Sequence, residues 1–276
     1  MLVQRNNVAR VLFAYAALTF FALIFIIPLL YALYTSFLHL KDVDSIVPLR
    51  ELTMDNYVRL WTSPAYSLPR WYWNTAVMTG IIIGGNLVFN TMAGYALSKL
   101  DFYGKKVIFF IILATLMIPY HIVLIPVYTT MAALGWLDTM KALTIPYMSQ
   151  VLHIFLVRQF FLGVPNELLE ASRLDGLSKI GAFFRIMMPL SGPAIATMVI
   201  LIFTGTWNSF MIPSTMVTRK EMFVLVVGLN SVKDQYFDRT NLIMAGVILT
   251  TLPVIILFLM LQKWYVQGVA TSGLKG

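Results

Sequence analysis

The sequence predicts an all-α, polytopic membrane protein with six transmembrane helices. The composition is the first reason. Of 276 residues, 59% are hydrophobic and 12% charged, and mean hydropathy is +0.80, whereas a soluble domain is about a quarter charged. The second reason is length. A membrane-spanning helix needs about 20 mostly apolar residues, and six stretches qualify, at 11–36, 74–97, 107–132, 143–163, 190–213 and 242–262. The third is continuity. No linker, repeat or low-complexity tract divides the chain, so residues 1–276 read as one domain.

The first run follows Arg5 and Arg10. It exceeds the 7–15 residues or so of a signal-peptide core and reads as an uncleaved span. Segment 37–70 is long and mixed in charge, and either contacts an external partner or covers span ends. Trp71, Tyr72 and Trp73 read as an interfacial aromatic anchor. The second span carries Gly80, Gly84, Gly85 and Gly94, with Asn86 and Asn90 one turn apart. Small residues permit close helix approach and Asn bonds across helices, so packing is favoured over substrate contact. In the third run Pro119 and Pro126 bracket Tyr120 and His121, a candidate break lining a pathway, with a packing kink as the plainer alternative. Gln150 and His153 lie in the fourth span, and His153 reads as a bonded structural residue. In the fifth, Trp207, Asn208 and Phe210 offer an aromatic face beside an amide. That pairing suits stacking on a sugar ring, against the alternative of aromatic packing. The candidate pathway residues are thus Tyr120, His121, Gln150, Trp207, Asn208 and Phe210.

Segment 164–189 is polar and lies between two apolar runs. Pro165 suits a first helical position, where its missing N–H costs nothing. Glu167 and Glu170 fall in the first turns, where the helix dipole favours negative charge. Gly176 is placed to end that helix in a left-handed cap, and Ser178 to cap a second one.

An even number of spans puts both termini on one side. If that side is cytoplasmic, eleven Lys and Arg residues lie inside and nine outside, out of 20. The inside charges are denser and abut span ends, which is where the positive-inside bias acts. This orientation places both termini and the 164–189 loop in the cytoplasm.

Several functions are disfavoured. The net charge of +8 is dispersed and no basic aromatic groove is readable, so nucleic acid is not expected as a partner. There is no cysteine and no pairing of the three histidines with carboxylates, hence no metal site. No phosphate-binding G-x-x-x-x-G-K-[ST] loop occurs, so ATP binding is not expected of this chain. No span interior holds an acidic residue, and no catalytic arrangement is visible, so the chain reads as a non-enzyme.

Glu170-Ala171-Ser172-Arg173-Leu174-Asp175-Gly176, nine further residues, then Ile186-Met187-Met188-Pro189 resembles the EAA loop of ABC importer permeases, E-A-A-x-x-x-G followed by I-x-L-P. Ser172 replaces the second Ala and Met188 the Leu. The likeness covers nearly the whole chain and is greatest to the MalG-like permeases of carbohydrate importers. Ala93 to Lys99 with Phe102 and Gly104 resembles the segment after that group's second span. Met117-Ile118-Pro119, Ile125 to Tyr128, Leu134-Gly135 and Asp138-Thr139 look like its third span and turn. Arg158 to Phe161 and Val164 to Leu168 look like the lead-in to its docking loop. Gly205-Thr206-Trp207-Asn208 resembles its fifth-span signature, with Ser209 where an acidic residue is common. Leu274-Lys275-Gly276 looks like its terminus.

The resemblance implies the ABC importer permease (MetI-like) fold in a bacterial or archaeal cytoplasmic membrane. It implies a second permease, two ATPase subunits and an extracytoplasmic sugar-binding protein as partners, besides membrane lipid. ATP and Mg would bind the partner ATPase, with no cofactor on this chain. Glu167, Glu170, Ala171, Ser172, Arg173, Asp175 and Gly176 would dock that ATPase, and the cargo would be a sugar or oligosaccharide. An ABC permease for another small solute is the nearest alternative. An ion-coupled secondary carrier is further off, because such carriers place ionisable residues in their spans.

Overall fold

The computed structural model describes residues 2–64, 66–235 and 239–273, and among them all regular structure is helical. The closing Leu274-Lys275-Gly276 lies outside the described residues. In chain order the α-helices are α1 (Leu2–Ser36), α2 (Asp55–Thr62), α3 (Leu68–Lys99), α4 (Lys105–Ala114), α5 (Tyr120–Ala133), α6 (Met140–Thr144) and α7 (Val151–Leu162). Then follow α8 (Glu167–Leu174), α9 (Lys179–Ala182), α10 (Met188–Leu190), α11 (Gly192–Trp207), α12 (Met211–Met216), α13 (Leu225–Gln235) and α14 (Thr240–Gly273).

Four helical stretches are each long and apolar enough to cross a membrane: Arg10–Ser36, Leu68–Lys99, Met140–Leu162 and Thr240–Lys263. Two more candidate spans are bent pairs, Lys105–Met117 with Tyr120–Ala133 at 99° and Lys179–Leu190 with Gly192–Trp207 at 76°. Counting each pair once gives the six expected spans, but the run 107–132 is not one straight helix. The residue before a proline is pushed out of the helical region, and Ile118, before Pro119, is extended at φ −83°, ψ 116°. Pro126 is held inside α5 without a break. The run 190–213 is also corrected. Its helix ends at Trp207, and residues 179–190 form a helix of their own, continuous through a π-helical turn at Phe183–Met187.

The chain forms two compact units, residues 1–67 with 229–252, and residues 68–228 with 253–276. In the first, Asn56 is the hub of the segment after α1. Its Nδ2 donates to the carbonyls of Ser36 at 2.9 Å and Leu38 at 2.8 Å. Asn241 donates to Asn56 Oδ1 and to Leu38 O, both at 3.0 Å. The chain after α1 therefore folds back through backbone acceptors that would otherwise be orphaned at a helix end.

In the second unit α3 is the spine, packed against α7 and α11. Its small residues divide by position. A Cβ on Gly85 would lie 2.5 Å from Met148 Cγ, and one on Gly94 would lie 3.0 Å from Val157 Cγ1, whereas Gly80 and Gly84 face open space. Close helix approach thus occurs at two of the four glycines. Asn86 and Asn90 are structural, as the packing reading had it. Asn86 Nδ2 donates to Tyr147 O at 2.9 Å, Asn90 Nδ2 donates to Asn86 Oδ1 at 2.6 Å, and Ser149 Oγ donates to Asn90 Oδ1 at 2.8 Å. His153 Nδ1 lies 3.2 Å from Asn86 Oδ1. This network satisfies the backbone left open where the helix breaks between α6 and α7, as a membrane interior demands.

The aromatic anchor is corrected. Trp71 is 3% exposed and packs on Gly228, while Trp73 is 65% exposed. One tryptophan of the pair is core, because a three-residue run on a helix points in three directions.

Candidate functional site

The 164–189 segment folds as two short helices joined by a tight turn. Asn166 is the N-cap of α8, so Pro165 stands before the cap and not in the first helical position. Asn166 O accepts from the amides of Leu169 at 2.9 Å and Glu170 at 3.0 Å. Glu167 and Glu170 occupy the first turn and Arg173 the last, each with the sign the helix dipole favours.

Gly176 ends the helix at φ +81°. Leu177 N–H donates to Ser172 O at 2.9 Å and Gly176 N–H to Arg173 O at 3.0 Å. These are the two bonds of a Schellman cap, which requires a left-handed residue at this place. Ser178 then caps the next helix, its Oγ accepting from Gly181 N–H at 3.1 Å.

The two faces differ. Leu169, Ala182, Phe183 and Met187 are buried in the core. Ser172 is buried at 2% exposure and its Oγ donates to Leu169 O at 2.8 Å, so its side chain faces inward. Glu167, Glu170, Ala171, Arg173 and Asp175 face outward. Among the described residues none of those charges is held in an ion pair. With them stand large exposed apolar groups, Leu174 at 91%, Ile180 at 71% and Phe184 at 59%.

The candidate pathway residues fall in three places. Tyr120 and His121 open α5 beside the 99° bend, their rings 5.8 Å apart. Gln150 is the N-cap of α7, and its backbone N–H donates to Asn90 Oδ1 at 3.3 Å. Trp207 is 5% exposed, stacked on Phe203 with ring centroids 5.0 Å apart and edge-on to Tyr72 at 5.9 Å. Its ring is therefore engaged in aromatic packing, while Asn208 and Phe210 beside it are exposed. Asn208 Nδ2 donates back to Thr204 O at 2.9 Å.

Sequence reasoning missed two polar clasps. Lys99 Nζ donates to Val164 O and to Asn166 Oδ1, both at 2.6 Å. One turn back, Tyr95 Oη donates to Lys179 O at 3.0 Å, and its ring lies 5.2 Å from that of Phe183. The second clasp is Asp138, held at φ +58°. Its Oδ1 accepts from the amides of Thr218 at 2.6 Å and Arg219 at 2.9 Å, and its Oδ2 from the Thr218 hydroxyl at 2.8 Å. What little burial there is raises the Asp138 carboxyl, but these donors and the Arg219 charge outweigh it, so it sits below the usual carboxylate range. An acidic residue in a Gly-containing turn was the one available signal.

Residues 88–271 match the family described as "Binding-protein-dependent transport system inner membrane component". The chain belongs to that family, and its fold is that of an ABC transporter permease. It is 34% identical over 262 residues to the arabinooligosaccharides transport system permease protein AraQ of Halalkalibacterium halodurans, covering 93% of this chain and 94% of that one. It is 32% identical over 273 residues to the galactooligosaccharides transport system permease protein GanQ of Bacillus subtilis, covering 97% and 96%. A chain of a bacterial ABC transporter involved in the import of the acidic polysaccharide alginate has the same fold. The TM-score is 0.81 at 24% identity, over 91% of this chain and 94% of that one.

Proposed function

We propose that this chain is a permease subunit of an ATP-driven importer for sugars or oligosaccharides, and that segment 164–189 docks the partner ATPase. One observation carries the docking reading: a capped helix pair that buries Leu169, Phe183 and Met187 and leaves Leu174, Ile180 and Phe184 exposed among unpaired charges. Ser172 acts by holding α8 to the core, and Glu167, Glu170, Ala171, Arg173 and Asp175 meet the partner. Gly176 sets the angle between the two helices. The remaining partners are a second permease, a second ATPase copy and an extracytoplasmic binding protein, with ATP and Mg on the ATPases. Both termini and this loop are cytoplasmic in this reading, and the chain carries out no catalysis itself.

The names of the two oligosaccharide permeases support the cargo class, since both align over nearly the full chain. The relative with alginate in its title handles an acidic polymer, so the fold alone leaves cargo charge open. The spans of this chain argue for a neutral solute. Their interiors hold no Asp, Glu or Lys, and an unpaired charge is costly to carry through such surroundings. Proteoliposomes containing the whole complex and its binding protein test this. Uptake of neutral oligosaccharide should require ATP and survive collapse of the proton gradient. Uptake driven by an ion gradient without ATP contradicts the energy source, and a strongly charged sole substrate contradicts the cargo.

A further inference from the structure

We infer that Lys99 is a positioning residue that locks α8 to the end of α3, so that movement of the docking loop enters the span instead of dissipating in the connection. The inference rests on the docking reading of segment 164–189. Residues 163–166 between α7 and α8 form no regular structure and are the natural hinge. Lys99 closes that hinge at two points, Val164 O and Asn166 Oδ1.

Asn166 shows that the contact is selected over the obvious alternative. Asn is among the favoured N-cap residues because its side chain accepts from the first helical amides. Here the Asn166 side chain makes no capping bond and accepts from Lys99. Lys99 in turn leaves the end of its own helix to a neighbour. Lys105 Nζ bonds Leu100 O at 2.7 Å and Ser98 O at 3.2 Å. Freed of that duty, the Lys99 ammonium spans to the hinge with charge-assisted bonds, the stronger kind. Tyr95 and Lys99 are four residues apart and so share one face of α3. Tyr95 holds Lys179 O at the start of α9, beyond the Gly176 turn. The last turns of α3 thus hold the docking segment on both sides of α8, at 164–166 and at Lys179.

The chain has no cysteine, so spin labels can be placed singly. Labels at Leu168→Cys on α8, outside the proposed docking residues, and Met92→Cys on α3, both exposed sites, report whether the two helices move as one. The distance is read in the permease complex with and without its ATPase and MgATP. The parent should give one narrow distribution in every state. Lys99→Met should broaden it roughly twofold, Asn166→Ala should broaden it less, and Lys99→Arg should keep it narrow. Unchanged width in both Lys99→Met and Asn166→Ala overturns the inference, as does equal broadening by Lys99→Arg and Lys99→Met. Crosslinking of Ile180→Cys to the ATPase is scored separately in the parent. Its absence removes the docking reading, and with it the transmitting role, while the width still reports the clasp.

Discussion

Gly176 has nothing within 4 Å of where a Cβ would lie, and its φ is +81°. Space is therefore not what a substitution there loses; backbone conformation is. An L-residue in the left-handed region costs about 1–2 kcal/mol, and Asn tolerates it better than a β-branched residue. Amide exchange at Leu177, whose N–H closes the cap on Ser172 O, should speed up in the order Gly176, Gly176→Asn, Gly176→Val. Equal exchange in all three contradicts the assigned role. Asp138 makes the pH-dependent case. Its folded-state pKa lies below the ordinary value of 3.8, so its clasp stabilises fully above that value and is lost as pH falls through the lower, folded one. The thermal stability difference between parent and Asp138→Ala should persist at neutral pH and vanish in strong acid. A difference that instead grows below pH about 4 contradicts the assignment. Gly176 and Ser178 were legible in the sequence because caps are local: the residue, its spacing and the bond lie within a few positions. The Lys99 clasp was not, because Val164 and Asn166 are 65 and 67 residues away, and nothing local distinguishes a lysine that reaches sideways from one that caps its own helix.

Among the elements, six apolar runs were legible because the membrane imposes a length and composition on each. Their continuity was less so. Pro119 and Pro126 look alike in sequence, yet the chain breaks at the first and passes through the second. The tertiary partners that satisfy freed carbonyls decide between those outcomes, and sequence does not show them. The same holds for the small residues of α3. Gly85 and Gly94 meet α7 and the break before it, whereas Gly80 and Gly84 meet nothing. Gly85→Ala should therefore destabilise by about 1–3 kcal/mol through overpacking against Met148, a residue whose Cβ and Cα are also within reach. Gly80→Ala and Gly84→Ala should be neutral or slightly stabilising, since Ala suits a helix better than Gly. Thermal unfolding in detergent orders the three variants. A larger loss at Gly80 than at Gly85 contradicts the packing described for α3.

For the whole molecule, the family and the fold follow from signals spread along the chain, while the assembly that would use them depends on one exposed surface. Trp207 illustrates the limit of reading a site from residue types: an indole beside an amide suggested sugar stacking, but Phe203 and Tyr72 already occupy its neighbourhood. Leu174, Ile180 and Phe184 were not singled out in the sequence, because exposure of an apolar residue becomes visible only when the faces of α8 and of the helix over 179–190 are fixed. Photo-crosslinking side chains introduced in place of these residues, and in place of Ile46 and Leu49, which are also exposed in the segment after α1, test the central claim most directly. In the assembled transporter, ATPase adducts should form at residues 174, 180 and 184 and be absent at 46 and 49. Adducts at 46 or 49, or none at the three loop positions, would contradict both the docking surface and the orientation proposed for the chain.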